Sequence, residues 1–121
     1  MSDAAQYWIT TQAGADYSEV FVMQNDDGSP VNLTGYIARM QVRRTYKSAS
    51  PALSLTSPSG GLVINGAAGT ITVSVSNSQT AALCVDNDRT QYVYDLEVES
   101  GAGLVTKVSK GFFTVHPEAT R

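Results

Sequence analysis

The chain has one cysteine, one histidine and four prolines, and each shortage closes off a class of protein. Cys84 alone can form neither an intrachain disulfide nor a multi-cysteine metal site. His116 stands beside Pro117, with no second histidine to share a ligand set. No apolar run approaches the roughly 18 residues of a membrane-spanning helix. Charge is scarce as well: 16% of residues carry it, for a net −3. The eight basic residues form no block, and Arg39, Arg43, Arg44 and Lys47 come closest. An acidic chain without a basic patch has no electrostatic footprint for nucleic acid. The opening MSDAAQYWITTQAGAD lacks a basic segment followed by an apolar one, so no signal peptide is expected and the chain is expected to be made and folded in a cytoplasm. Asn32-Leu33-Thr34 fits the N-glycosylation pattern, and without a secretion signal it reads as chance.

What is present is alternation. With 121 residues, 42% of them hydrophobic, the chain is about one domain long. Apolar residues recur at every second position, and turn residues return every eight to twelve. Strands are expected at Ala5 to Gln12, Tyr17 to Gln24, Val31 to Leu33, Tyr36 to Tyr46, Ala52 to Thr56, Leu62 to Ile64 and Gly69 to Val75. Further strands are expected at Gln91 to Glu99, Leu104 to Ser109 and Gly111 to His116. Only Ser78 to Val85 reads as helical, capped by Ser76 or Asn77 and burying Ala81, Leu83 or Cys84. Short strands with turn signals and no βαβ spacing predict an all-β fold: an antiparallel immunoglobulin-like β-sandwich of eight or nine strands with at most one short helix. The expected core is Ile9, Val20, Val22, Met40, Val42, Ile71, Val73, Tyr94, Leu96, Val98, Phe113 and Val115, each aliphatic member contributing roughly 1.5–3 kcal/mol on burial.

The stretch TQYVYDLEVE, Thr90 to Glu99, puts Asp95, Glu97 and Glu99 on one side of a strand. A carboxylate pair could serve as acid and base, and i, i+2 spacing permits it. Nothing else in the sequence builds a hydrolase around them, and a flat strand face presents oxygens poorly to a cation. The structural reading pairs Asp95 and Glu97 with Arg39 and Arg43 across neighbouring strands, contributing roughly 0.2–1 kcal/mol per pair. His116 reads as a surface residue and Cys84 as a small apolar one. Ser57-Pro58-Ser59-Gly60-Gly61 lacks the lysine and helix of a phosphate loop. No catalytic, metal-ligating or cofactor-binding residues are expected.

Residues 1–15 read as an N-terminal strand or arm, and 16–121 as the sandwich domain. Tyr7, Trp8 and Ile9 stand in a row, so both faces of that strand are apolar. Either a neighbouring subunit covers them as an assembly contact, or Trp8 closes the end of the core.

Five stretches occur in order: PVNLTGY (Pro30 to Tyr36), RMQVRR (Arg39 to Arg44), GTITVSVSNSQTAAL (Gly69 to Leu83), YVYDLEVES (Tyr92 to Ser100) and KGFFTVHPEATR (Lys110 to Arg121). Together they resemble a group of small phage and prophage proteins, with a layout similar to the N-terminal domains of phage baseplate upper proteins. The resemblance runs from about Asp16 onward, with Asn32 where Asp is commoner, and it carries no catalytic residues. It implies a non-enzymatic virion component of a tailed phage, in the tail, baseplate or fibre apparatus, made in the host bacterial cytoplasm. The implied partners are other virion proteins in a symmetric assembly of several copies, with neither nucleic acid nor membrane. A capsid decoration or head-fibre protein is the alternative within that class. A carbohydrate-binding module for host attachment, using Tyr36, Tyr46 and Tyr92 with Trp8, is the alternative from another class.

Overall fold

The computed structural model describes residues 5–120. Along the chain come β1 (Ala5–Gln6), β2 (Ile9–Gln12), β3 (Tyr17–Val22), β4 (Ile37–Arg43), β5 (Leu53–Thr56), β6 (Leu62–Asn65) and β7 (Thr70–Val75). The helix α1 (Asn77–Ala82), a 3-10 turn (Val85–Asn87), β8 (Thr90–Glu99) and β9 (Val105–His116) follow. One sheet runs β1-β9-β8-β4-β5 with β2 also on β9, and a smaller sheet runs β3-β7-β6. The named strands pair antiparallel, except that β1 and β2 lie parallel to β9. This is the all-β, immunoglobulin-like sandwich that the alternation predicts.

Strand phase sets the core. On β8, Tyr92, Tyr94, Leu96 and Val98 point inward, meeting Ala38, Met40 and Val42 of β4 and Ile71, Val73 and Val75 of β7 in one buried cluster. The hydroxyls that enter the core are satisfied, as burial requires. Tyr92 donates to the Leu83 carbonyl at 2.8 Å, and Tyr94 donates to the Tyr7 carbonyl at 2.7 Å.

Three expectations need correcting. Val20 and Val22 are 54% and 55% exposed, and β3 instead turns Tyr17, Glu19 and Phe21 toward the interior. Both faces of β3 carry apolar residues, and two aromatic rings bury more area than two valines. Tyr17 packs edge-on against Phe113 and Phe21 against Tyr7. Second, the break expected at Lys110–Gly111 is absent, and β9 is one strand of 12 residues. Gly111 is there for close approach: a Cβ would stand 2.4 Å from the Tyr7 carbonyl oxygen. Third, Val31 to Leu33 is no strand. It carries Leu33 into the core, held by the Leu33 amide donating to the Gly66 carbonyl at 2.9 Å.

The helix begins one residue before its expected start and ends at Ala82. Ser76 is its cap: the Gln79 amide donates to Ser76 Oγ, and the Ser76 amide donates to Gln79 Oε1. That reciprocal pair fixes the first turn. Thr80, fully buried, donates to the Ala15 carbonyl at 2.9 Å and ties α1 to the turn before β3. Leu83 is buried as expected, whereas Cys84 is half-buried and Ala81 is exposed.

Candidate functional site

The outer face of the larger sheet is built in rows across β9, β8 and β4. Register places Lys110 beside Asp95 beside Gln41, and Lys107 beside Glu97 beside Arg39. A bulge between Leu96 and Glu97 sets the second row. Val108 is the extra residue on β9, and the shift brings Lys107 opposite Glu97. Arg39 donates to Glu97 through Nε at 3.0 Å and Nη2 at 2.6 Å, and to Glu99 at 2.9 Å. Lys107 donates to Glu97 and reaches Asp95 at 3.5 Å.

Electrostatics follow from this ladder. Partial burial pushes the Glu97 carboxyl upward, but hydrogen bonds from Lys107 and Arg39, aided by their charges, outweigh it and hold the group below its ordinary value. The bond to Glu97 raises Lys107 in turn. A carboxyl held ionised between two cations is the opposite of a general acid, whose proton must be retained near neutrality. In this row Glu97 stands paired with a cation on either side. Arg43, expected to join it, sits opposite Val93 and donates instead to the Ser48 carbonyl and Gln41 Oε1, both at 2.7 Å. Beside it lies a shallow depression of about 210 Å³ bordered by Gln41, Arg43, Tyr46, Asp95 and Lys107.

The N-terminal residues behave unalike. Ile9, expected both in the core and in an assembly contact, is 1% exposed and lies in the core, because β2 pairs with β9 and places Ile9 beside Phe113. Trp8 is 66% exposed and rests edge-on against Phe112 at 5.3 Å. Tyr7 turns the other way. Its hydroxyl and that of Tyr17 both donate to Glu19, each at 2.5 Å. This inward carboxylate, absent from the expected site residues, draws one hydroxyl from β3 itself and one from the link between β1 and β2. The bond to Glu19 raises Tyr7 above its ordinary value, and burial followed by the same bond raises Tyr17 far more. Met1 to Ala4, the start of the expected arm, lie outside the described residues.

The aromatics proposed for a glycan platform are not brought together. Tyr92 is in the core, with only Arg44 stacked over its ring at 5.3 Å. Tyr36 precedes β4 and Tyr46 follows it, and they border different depressions, Tyr36 with Thr34 and Pro58 and Tyr46 with Gln41 and Asp95. Among the described residues no group of three or more His, Cys, Asp or Glu is placed to hold a metal ion.

No protein-family model and no curated protein matches the chain. Among solved structures it is similar to a chain in the crystal structure of ICOS in complex with ICOS-L and an anti-ICOS-L VNAR domain. That match has 12% identity and a TM-score of 0.50 over 94% of this chain and 55% of that one, so this chain spans about half the length of the other. It is also similar to the N-terminal domain of phage TP901-1 ORF48, at 14% identity and a TM-score of 0.45, covering 93% and 98% of the two chains. A third is Drosophila OTK, extracellular domains 3–5, at 15% identity and a TM-score of 0.35, covering 96% of this chain and 33% of that one. At 12% identity the first likeness is one of fold, and the fold is the immunoglobulin-like sandwich described above.

Proposed function

We propose that this protein is a non-enzymatic structural component of a tailed-phage particle, an adaptor of the tail, baseplate or fibre-attachment region that acts through protein–protein contacts. The observation that carries the reading is the ordered series of five motifs from Pro30 to Arg121. Those motifs coincide with framework. Asn32 accepts from the Thr34 amide at 3.0 Å in the NLTG turn, Ser76 and Gln79 cap α1, and Tyr94 and Leu96 are core residues of β8. A resemblance carried by turns, caps and core positions points to a shared scaffold, and such a scaffold works by presenting rigid faces and edges to neighbours. The two outer faces suit different neighbours, one bearing the ladder of charges and the other bearing none.

Quantitative mass spectrometry of purified particles tests this. The chain is expected in fixed proportion to the tail proteins. A fixed proportion to the major capsid protein, surviving tail removal, would shift the reading to head decoration. Absence from the particle would overturn it.

A further inference from the structure

Among the described residues β3 leaves the longest uninterrupted free edge. It has six residues and, among those residues, one strand neighbour, β7. The other edges are shorter or interrupted: β5 and β6 have four residues each, and β1 and β2 are split by Tyr7 and Trp8. β3 contains no lysine, proline or bulge; of the devices that blunt an edge it carries one, the inward carboxylate of Glu19, which the Tyr7 and Tyr17 hydroxyls already engage. β1 does not cover it, since β1 pairs with β9 and an open groove of about 280 Å³ lies between Ala5–Gln6 and the end of β3.

Which backbone groups are free follows from the ladder. The Met23 amide donates to the Gly69 carbonyl at 2.8 Å, continuing the register in which Phe21 faces Ile71 and Glu19 faces Val73. In an antiparallel pair, residues alternate between bonding the neighbour and turning away from it. Tyr17, Glu19 and Phe21 therefore bond β7, and Ser18, Val20 and Val22 aim their N–H and C=O groups at the open edge. The side chains of these same three residues lie on the outer face of the smaller sheet. There Val20, Thr72 and Val63 form a row across three strands, with Val20 and Val63 54% and 56% exposed. The strand residues of that face are Ser, Thr, Val and Asn, none of them charged.

We propose that this edge pairs with the β3 edge of a second copy of this chain, antiparallel about a two-fold axis through Val20. In that register Val20 meets Val20, and Ser18 meets the second copy's Val22. All three outward pairs then close, giving about six backbone hydrogen bonds at two per pair. Glu19 meets the second copy's Phe21, so no like charges stand opposite each other. Moving the axis to Glu19 would set two carboxylates face to face, which is destabilising. Moving it to Phe21 would place Ser18 against Gln24, beyond the end of β3. The self-complementary register is thus also the one that satisfies charge, and it joins two uncharged three-stranded sheets into one. A small, largely backbone contact of this kind is weak alone and gains strength when copies are held together. The pairing does not depend on the virion reading, because it is measured on the isolated protein.

Sedimentation velocity of the full chain from about 10 μM to about 1 mM, with amide hydrogen exchange at both ends of that range, tests it. The expected result is a concentration-dependent dimer in which the Ser18, Val20 and Val22 amides slow as dimer forms, while those of Tyr17, Glu19 and Phe21 are slow throughout. Val20→Lys, which sets two cations on the axis, and Val20→Pro, which removes the central edge donor, are each expected to weaken the dimer at least about tenfold. Val63→Lys, on the far strand of the same face, is expected to leave it intact. A wild-type monomer throughout, or a dimer that survives Val20→Lys with unchanged edge amides, overturns the proposal. Should either variant fold poorly by circular dichroism, the wild-type exchange pattern decides alone.

Discussion

At Glu97 burial and pairing pull the carboxyl in opposite directions, and pairing prevails. The stability that follows has a definite sign. Because the folded carboxyl titrates below its ordinary value of 4.5, Glu97 favours the folded state above that pH. The contribution fades as pH falls through 4.5 and then through the lower folded value, when the unfolded chain and finally the native one take up the proton. Glu97→Gln is therefore expected to lower the urea midpoint at neutral pH, and that difference is expected to shrink progressively as pH falls below 4.5. A wild-type-minus-variant gap that stays constant with pH would sink the assignment. The carboxylate row itself was legible in the sequence from its period of two. The identity of its second cation was not, because Lys107 reaches Glu97 only through the bulge at Val108, and a bulge leaves no mark in an alternating pattern.

At the scale of elements, the β4–β8 ladder separates two arginines that the sequence treats alike. Both lie on the outward side of β4, but register gives Arg39 a glutamate across the ladder and gives Arg43 a valine. Arg39→Glu would place a new carboxylate beside Glu97 and Glu99, so a fall in Tm is expected. Arg43→Glu should move the Tm much less, having only the Ser48 and Gln41 bonds to lose. Thermal scans of the two variants at low salt check this, and equal shifts would mean that register does not set the pairing. β3 carries the opposite lesson. Its alternation is plain, yet the sequence alone favoured the wrong face, because Val20 and Val22 compete with Tyr17 and Phe21 for the interior. What settles the contest is a partner from elsewhere: Tyr7, in the link between β1 and β2, helps satisfy Glu19 and so allows the face that carries a carboxylate to turn inward.

For the whole molecule, the N-terminal residues are part of the sandwich as well as a candidate surface. The Ile9 side chain lies in the core, and Tyr7 supplies the carbonyl that accepts from the buried Tyr94 hydroxyl. Burial places that hydroxyl's pKa at about 12, so it remains a donor across the physiological range. Deleting residues 1–11 removes the aliphatic side chain, worth roughly 1.5–3 kcal/mol on burial, and strips a hydrogen-bond partner from a core tyrosine. Denaturant titration of the truncated chain should report a loss of at least about 2 kcal/mol. Undiminished stability would return the segment to the status of a detachable arm. The oligomeric state alone would not distinguish these outcomes, since an unfolded truncated chain also changes mass.

The sequence by itself determined the class of fold, most of the core and the location of α1. Period-two alternation, turn residues and a candidate capping residue are local signals, and local physics is enough to read them. Tertiary structure alone decided which face of β3 is buried, which cation answers which carboxylate, and that Trp8, beside the expected core residue Ile9, is surface. Each of these depends on a segment far away in sequence, through register, a bulge or a hydroxyl donated from the link between β1 and β2. Alternation names two faces, and only the neighbour that arrives decides which of them is the inside.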